Sequence, residues 1–556
     1  MSTADGHIIG TFRLVDHGAN SQRYNIVILG DGYQAFEMAK YHADVQRFVD
    51  TLHATAPYAD LWCGINIHRV DVASTDSGAD DPATCGDHSA GSGAAARTLF
   101  DATFCGGNYV RRLLTCDSAS AKNVAQTQVP EVHVTMVIVN STQYGGSGGE
   151  VAIFSTDASA AEIALHEMGH TAFGFADEYE YYVGCGSGET NHNVYAGSEP
   201  SEPNVTANPD KNAIKWRSVL TSLADALPTT TSADCTQCDP QPNPKVASYV
   251  GAYAGARYYH CGCYRPSYTC RMRALGNPFC GVCQRVIRDT LTPFLPAAYQ
   301  GLWWNAPGGS ESGWGINFAH QEDVIFTTWF TYDATGKPWW LSMSAVKNAG
   351  NAYAGTLYET RGPAFNATPF NPALVTNLAV GSATLTFADV NNGTFAYTVN
   401  GIAQSKSITR QLFATPVPTC MFGVQQNLAL ATNYQDLWWN APAGSESGWG
   451  INFAHQGNTL FGTWFTYDPS GAPLWISVTA PMSSHGVFSG TLYETHGPVF
   501  NASPFNPANV TLTAVGTATF TFSDGNNAIF AYTLNGVAQT KHITRQVFRS
   551  PGTVCR

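Results

Sequence analysis

LWWNAPGGSESGWGINFAHQ (302–321) and LWWNAPAGSESGWGINFAHQ (437–456) are near-duplicates. The match continues in constant register through TWFTYD (328–333 and 463–468), GTLYET (from Gly355 and Gly490), FNPA, and SITRQ or HITRQ, to Cys420 and Cys555. An unchanged offset over that distance is a tandem duplication with no net insertion. Inside each copy, apolar and polar residues alternate in short runs broken by Gly, Asn, Asp and Pro. ATLTFADVNNGTFAYTV (383–399) and ATFTFSDGNNAIFAYTL (518–534) read as hairpins about their Asn/Gly/Asp turns. Long helical periodicity is missing, so each repeat is expected to be an all-β domain, either a sandwich or a barrel. One cysteine per copy at matched positions allows a Cys420–Cys555 bridge tying the copies together. Pro416 and Pro418 precede a short linker near 421–434.

Upstream of the repeats the pattern changes. YNIVILGDGY (24–33) reads as a buried strand ending in a turn. Phe36, Tyr41, Val45, Phe48 and Leu52 then recur at helical spacing. GINIHRVDV (64–72) and EVHVTMVIVN (131–140) are further strands, and QRVIRDTLTPF (284–294) is a closing helix halted near Pro296. Strands alternating with helices predict an α/β domain. The expected organisation is therefore an α/β domain over 1–295, a first all-β repeat over 296–422 and a second over 423–556.

At 556 residues the chain is too long for one core. Charged residues are 12%, about half the usual share, and the formal net charge is −13. An acidic chain repels nucleic acid and anionic membrane, and no apolar run is long enough to cross a bilayer, so no nucleic-acid partner and no membrane insertion are expected. The 14 cysteines, an even number, in a chain poor in charge read as disulfides of an extracellular protein. Cys235-x-x-Cys238 with Cys280-x-x-Cys283 would alternatively suit a structural zinc site. MSTADGHIIG has neither a charged n-region nor an apolar h-region, so secretion implies a signal removed upstream of this start.

The chemistry concentrates in SAAEIALHEMGHTAFGFADEY (159–179). Ser159 with Glu162 predicts a capping box and a helix start. On that helix His166 and His170 lie one turn apart on one face, a spacing at which two imidazoles reach one Zn²⁺. Glu167 beside them can contact a metal-activated water as general base. Gly174 is placed to end the helix in a left-handed cap and turn the chain back. Asp177 is then the preferred third ligand, Glu178 the near alternative, and His192 and His260 outsiders. Three protein ligands leave a fourth position for water, the pattern of a catalytic site. Tyr264, Tyr268 and Arg273 are nominated as a further donor to the developing oxyanion.

HEMGHTAFGFADEY (166–179) resembles the H-E-x-G-H-x-x-x-G-x-x-D-E-Y signature of the M64 family, the IgA-peptidase-like metallopeptidases. NIVILGDGY, VNSTQYGGSGG (139–149), EPNVT (202–206), YRPSYTCRM (264–272) and FCGVC (279–283) extend the resemblance over most of 20–290 and not into the repeats. It implies one catalytic zinc ion on His166, His170 and Asp177, with Glu167 catalytic. It also implies a metzincin-like fold in which a Met-containing turn, with Met272 as candidate, underlies the metal. Three residues, not the two usual in metzincins, separate His170 from Gly174.

The expectation that follows is a secreted zinc endopeptidase acting on peptide bonds of extracellular proteins, with immunoglobulin A as the substrate the family's name implies. The alternative is a surface or glycan-binding protein with a vestigial hydrolase domain, its ligand held by the repeats. That reading turns on tryptophans such as Trp303, Trp304, Trp438 and Trp439, which stack on sugars if exposed and fill a core if buried. TQYGGSGGE (142–150) is either an edge that pairs with extended substrate or a plain turn. Asp31, His320, His455 and Asp389 read as structural.

Overall fold

The structure, a computed structural model, describes residues 5–181, 185, 193–238, 242–348, 352–423, 425, 427–550 and 552–556. The chain divides into two compact units, 1–295 and 296–556.

In the first unit, strands β1 (Gly6–Val15), β2 (Tyr24–Asp31), β3 (Ile65–Ser74), β4 (Val132–Val139), β5 (Gly146–Ser147) and β6 (Ala152–Ser155) form one sheet in the order β1-β3-β2-β4-β6-β5. The four inner strands are parallel, while β1 and β5 close the edges antiparallel. Every residue of β2 is buried, as a central parallel strand covered on both faces requires. Its Ile26 and Ile28 face one core, together with Tyr41, Val45 and Phe48 of α1 (Met38–Ala54), Ile163 and Leu165 of α4 (Ala160–Phe173) and Ile287 of α5 (Gly281–Leu291). Val27 and Leu29 face the other, against Ala121 and Val124 of α3 (Ser118–Gln128) and the loop residues Phe100 and Phe104.

The expectation of an α/β metzincin-like domain is overturned. The chain is mostly β. Five helices occur among the described residues, one of them the single turn α2 (Tyr58–Leu61), against a six-stranded mixed sheet and two eight-stranded barrels. The helical signals at 38–54, 160–173 and 281–291 are real, but residues 174–280 contribute no α-helix among those described. That stretch is loop punctuated by Gly, Pro and Asn, with one hairpin, β7 (Tyr253–Ala256) and β8 (Tyr259–Arg265), and stapled by Cys185–Cys238 and Cys235–Cys261. The disulfides there reinforce an irregular stretch whose Ile214, Trp216 and Val250 join the main core and whose Val205 and Ala256 form a small core of their own.

In the second unit each repeat is a closed antiparallel barrel, the first from Gly301–Asn305 to Ile402–Arg410 and the second from Asp436–Asn440 to Val537–Arg545. Closure comes from pairing the last strand with the first, Thr409 opposite Trp304 and Thr544 opposite Trp439. Trp303, Trp329, Trp438, Trp464 and Trp475 are buried, so these rings fill the cores. The barrels meet reciprocally. Trp340 Nε1 donates to Thr466 O of the second barrel, and Trp475 Nε1 to Thr331 O of the first. Gln321 of the first barrel accepts from Phe548 and Arg549 N–H of the second barrel's exit tail. Gln456 does the same for Phe413 and Ala414 in the first barrel's exit tail. Cys420 and Cys555 are bonded across a two-stranded ladder. His320 and His455 accept from the backbone N–H of Tyr299 and Tyr434, and Asp389 caps its own turn. No helix of the described residues is long and apolar enough to cross a membrane.

Candidate metal centre and active-site cleft

Helix α4 leaves the edge of the sheet after β6. The predicted capping box does not form. Ser159 makes no side-chain cap; its own N–H goes to Asp157 Oδ1. Glu162 instead reaches away to Gly276 N–H and to Arg271. The other end follows the sequence reading. Gly174, at φ 64° and ψ 31°, closes the helix through its N–H to His170 O, and Phe175 N–H returns to Gly169 O. That reversal brings Asp177 back over the last turn.

His166 Nε2, His170 Nε2 and Asp177 Oδ1 then form a triangle with sides of 3.2, 3.0 and 3.4 Å. A tetrahedral ion about 2.0–2.1 Å from each donor sets donors about 3.3 Å apart, so the triangle fits one zinc ion. The ring orientations argue the same way. His166 Nδ1 lies 3.0 Å from Arg271 O and His170 Nδ1 2.6 Å from Phe175 O. A carbonyl only accepts, so each Nδ1 carries the proton and each Nε2 turns a lone pair inward. Two lone pairs and a carboxylate oxygen facing one point repel unless a cation lies between them. With no ion bound, the pocket would draw a proton to the same point instead. Burial works against a charged His170, but the Asp177 carboxylate outweighs it and pushes the imidazole up to about 9. Burial would raise Asp177, yet the facing imidazoles hold it well below the usual carboxylate range.

Outer partners fix the triangle. Tyr258 OH donates to Asp177 Oδ2 at 2.5 Å, and Arg257 N–H donates to Asp177 O. Asn204, from the EPNVT segment, accepts from Ala176 N–H and donates to Ala176 O, which locks the turn. Met272 is buried against Gly169 of α4, and its carbonyl accepts Glu178 N–H. Glu178, the alternative ligand, points away from the triangle toward Cys280 and Cys283. His260 sits 3.6 Å from Glu180 instead, and His192 lies outside the described residues.

Glu167 Oε2 lies 4.0 Å from His170 Nε2, and burial raises its carboxyl above the ordinary range. The cleft over it has a volume of about 700 Å³ and is lined by Gly146–Gly149, Arg112, Tyr179, Tyr258 and Arg273. Of the three nominated donors only Arg273 lines it. Tyr258 and Asn204 were missed because they come from 81 and 28 residues away, with no local pattern to flag the contact each makes. The glycines of 146–149 have a specific use. A Cβ on Gly146 would stand 2.9 Å from Glu167 Oε1, and one on Gly148 would stand 2.9 Å from Glu167 O and from His170 Cδ2. The outer edge of β5 is engaged at Gly146 by a bridge to Leu113. Asp31 lies apart from this cleft, buried and held by Thr98, Phe100 and Ala102.

The family described as IgA Peptidase M64 matches residues 12–241 and 241–291, which is half of the chain. The chain belongs to that family. It is therefore a peptidase, with protein or peptide as its substrate class. The repeats lie outside the match. No curated protein matches the chain. Among solved structures, a mutant of the vaccine antigen Transferrin Binding Protein B from Haemophilus parasuis Hp5 aligns at 9% identity, covering 41% of this chain and 67% of its own, with a TM-score of 0.13.

Proposed function

We propose that the protein is a secreted zinc-dependent endopeptidase in which Glu167 is the general base. The observation that carries this reading is the inward-facing triangle of His166, His170 and Asp177 beside a buried carboxylate, at the floor of an open cleft. His166 Nε2, His170 Nε2 and Asp177 Oδ1 would hold the ion. Bound there, zinc supplies Lewis acidity that polarises a peptide carbonyl and acidifies water.

The chain's own residues do the rest. Glu167 takes a proton from the attacking water at Oε2, and its burial strengthens it as a base. It then delivers that proton to the departing amine nitrogen. Arg271 O and Phe175 O keep both imidazoles in the tautomer that presents Nε2. Tyr258 orients the Asp177 carboxylate. Gly146 and Gly148 let the cleft wall lie directly against Glu167 and His170 of α4.

Four disulfides support an oxidising, extracellular setting. The family's description supports immunoglobulin A as the first substrate to try. The binding-protein alternative draws no support from the repeats, whose aromatic rings are mainly core. The test is Glu167→Gln in the full chain. Metal content should be retained while cleavage of immunoglobulin A and of denatured casein falls by at least about 10²–10⁴-fold. Unchanged turnover would remove Glu167 from the mechanism.

A further inference from the structure

Behind the cleft floor lies a second convergence of donors. Cys270, Cys280, Cys283 and Glu178 are all buried, and one ligand atom from each lies within 4.8 Å of every other. Cys270 Sγ and Cys283 Sγ are 3.8 Å apart. Glu178 Oε1 is 3.6 Å from Cys283 Sγ and 4.0 Å from Cys280 Sγ. A tetrahedral ion about 2.3 Å from sulfur and about 2.0 Å from oxygen sets S–S near about 3.8 Å and S–O near about 3.5 Å. These three separations lie within about 0.5 Å of that spacing, and no pair exceeds 4.8 Å.

Two features separate this cluster from an ordinary buried set of thiols. Glu178 is fully buried, and its Oε2 has no hydrogen-bond partner in the pocket. A buried carboxylate among sulfurs is costly unless a cation compensates it. Second, four other cysteine pairs of this chain are bonded, whereas these three stay free while gathered at one point, unlike the scattered free thiols Cys63, Cys116 and Cys263. Any disulfide among three would leave the odd thiol against the carboxylate. Cys280 caps the N-terminus of α5 and Cys283 lies in its first turn, while Cys280 N–H donates to Cys270 Sγ at 3.3 Å. Amide donors and a helix N-terminus both favour sulfur as thiolate.

We propose that Glu178, Cys270, Cys280 and Cys283 form a closed structural zinc site separate from the catalytic triangle. Its position gives it a task. Glu178 follows Asp177 directly, and Cys270 precedes Arg271, whose carbonyl fixes His166. One ion would thereby pin both the segment that carries the third donor and the segment that orients the first. This last point rests on the reading of His166, His170 and Asp177 as ligands; the site itself does not.

The test uses the full chain, metal-stripped and reloaded with cobalt(II), beside a His166→Ala/His170→Ala variant and a Cys270→Ser/Cys283→Ser variant. Thiolate-bound cobalt absorbs strongly in the near ultraviolet, whereas imidazole and carboxylate sites do not. The band is expected in the wild type and undiminished in the histidine variant, which should retain one ion per chain by elemental analysis. It should vanish in the cysteine variant. Non-reducing peptide mapping of the wild type should recover all three cysteines as thiols once metal is removed. A disulfide among them, or a histidine variant with neither band nor ion, overturns the site. If the cysteine variant does not fold, the wild type and histidine variant still decide. A missing band with cleavage and one retained ion would refute this site and leave the catalytic reading standing.

Discussion

Gly148→Ala is a single methyl group added outside the reacting centre, yet it should disable the enzyme. The new Cβ would stand 2.9 Å from His170 Cδ2 and from the backbone oxygen of Glu167, and closer still to His170 Cβ. Carbon atoms rest about 3.5–4.0 Å apart, so the ring contact alone is short by about 0.6–1.1 Å. None of these atoms is the free end of a flexible chain. His170 is held by Phe175 O, and Glu167 O belongs to the helix. Either α4 or the 146–149 segment must therefore shift by about 1 Å. A displacement of that size at a catalytic group costs about 10²-fold in rate, and overpacking costs about 1–3 kcal/mol in stability. The assay is kcat/KM on a quenched peptide, with circular dichroism to show that the variant is folded and elemental analysis to show its metal content. A folded variant within about threefold of wild type would refute the argument that these glycines set the spacing between cleft wall and helix.

Tyr258→Phe removes the hydrogen bond to Asp177 Oδ2 and should lower metal affinity or turnover by about 10–100-fold, read by chelator competition. Metal uptake must displace the proton that His170 holds up to about 9, so apparent affinity should fall by about tenfold per pH unit as pH drops from 9 to 7; titration calorimetry giving a flat profile would contradict this. In the barrels, burial pushes His320 and His455 down to about 4, so their neutral forms contribute stability that is full above about 6.5 and lost as pH falls toward 4. Each is worth about 3 kcal/mol over that interval. Asp436, pushed up to about 6 by burial, works in the opposite sense by a similar amount. The net loss of about 3 kcal/mol should show in urea denaturation followed by tryptophan fluorescence at pH 7 and pH 4, and equal midpoints would refute it.

How much of this was legible depended on range along the chain. His166, Glu167, His170, Gly174 and Asp177 lie within a dozen residues, and helix geometry plus one left-handed cap nearly determines their arrangement. Tyr258 arrives from a distant loop with nothing local to mark it; Asn204 and Arg271 lie in the EPNVT and YRPSYTCRM segments, whose resemblance marks the stretch but not the contact each residue makes. Glu178 and Cys283 each stand out as a donor, one beside Asp177 and one in Cys280-x-x-Cys283, but at 105 residues apart nothing local pairs them. The capping box does not form because the Glu162 N–H is taken by the Ser159 backbone carbonyl and the Glu162 side chain is drawn off to Gly276 N–H and Arg271. Strand alternation in the repeats was plain, but it is identical for sandwich and barrel; only the long-range pairing of Thr409 with Trp304 closes the sheet. The metzincin-like expectation came from the family resemblance over 20–290, which carries site residues along the chain but does not fix the secondary structure of 174–280.

The reciprocal seam between the barrels constrains how the gene segment can drift. Trp340 and Trp475 hold matched contacts there, each to the other copy's Thr466 or Thr331 carbonyl. A change confined to one copy would leave the other with a socket cut for a key that no longer exists. Divergence at such positions must come in matched steps, and Gln321 and Gln456, which end the two near-identical stretches, are one such pair.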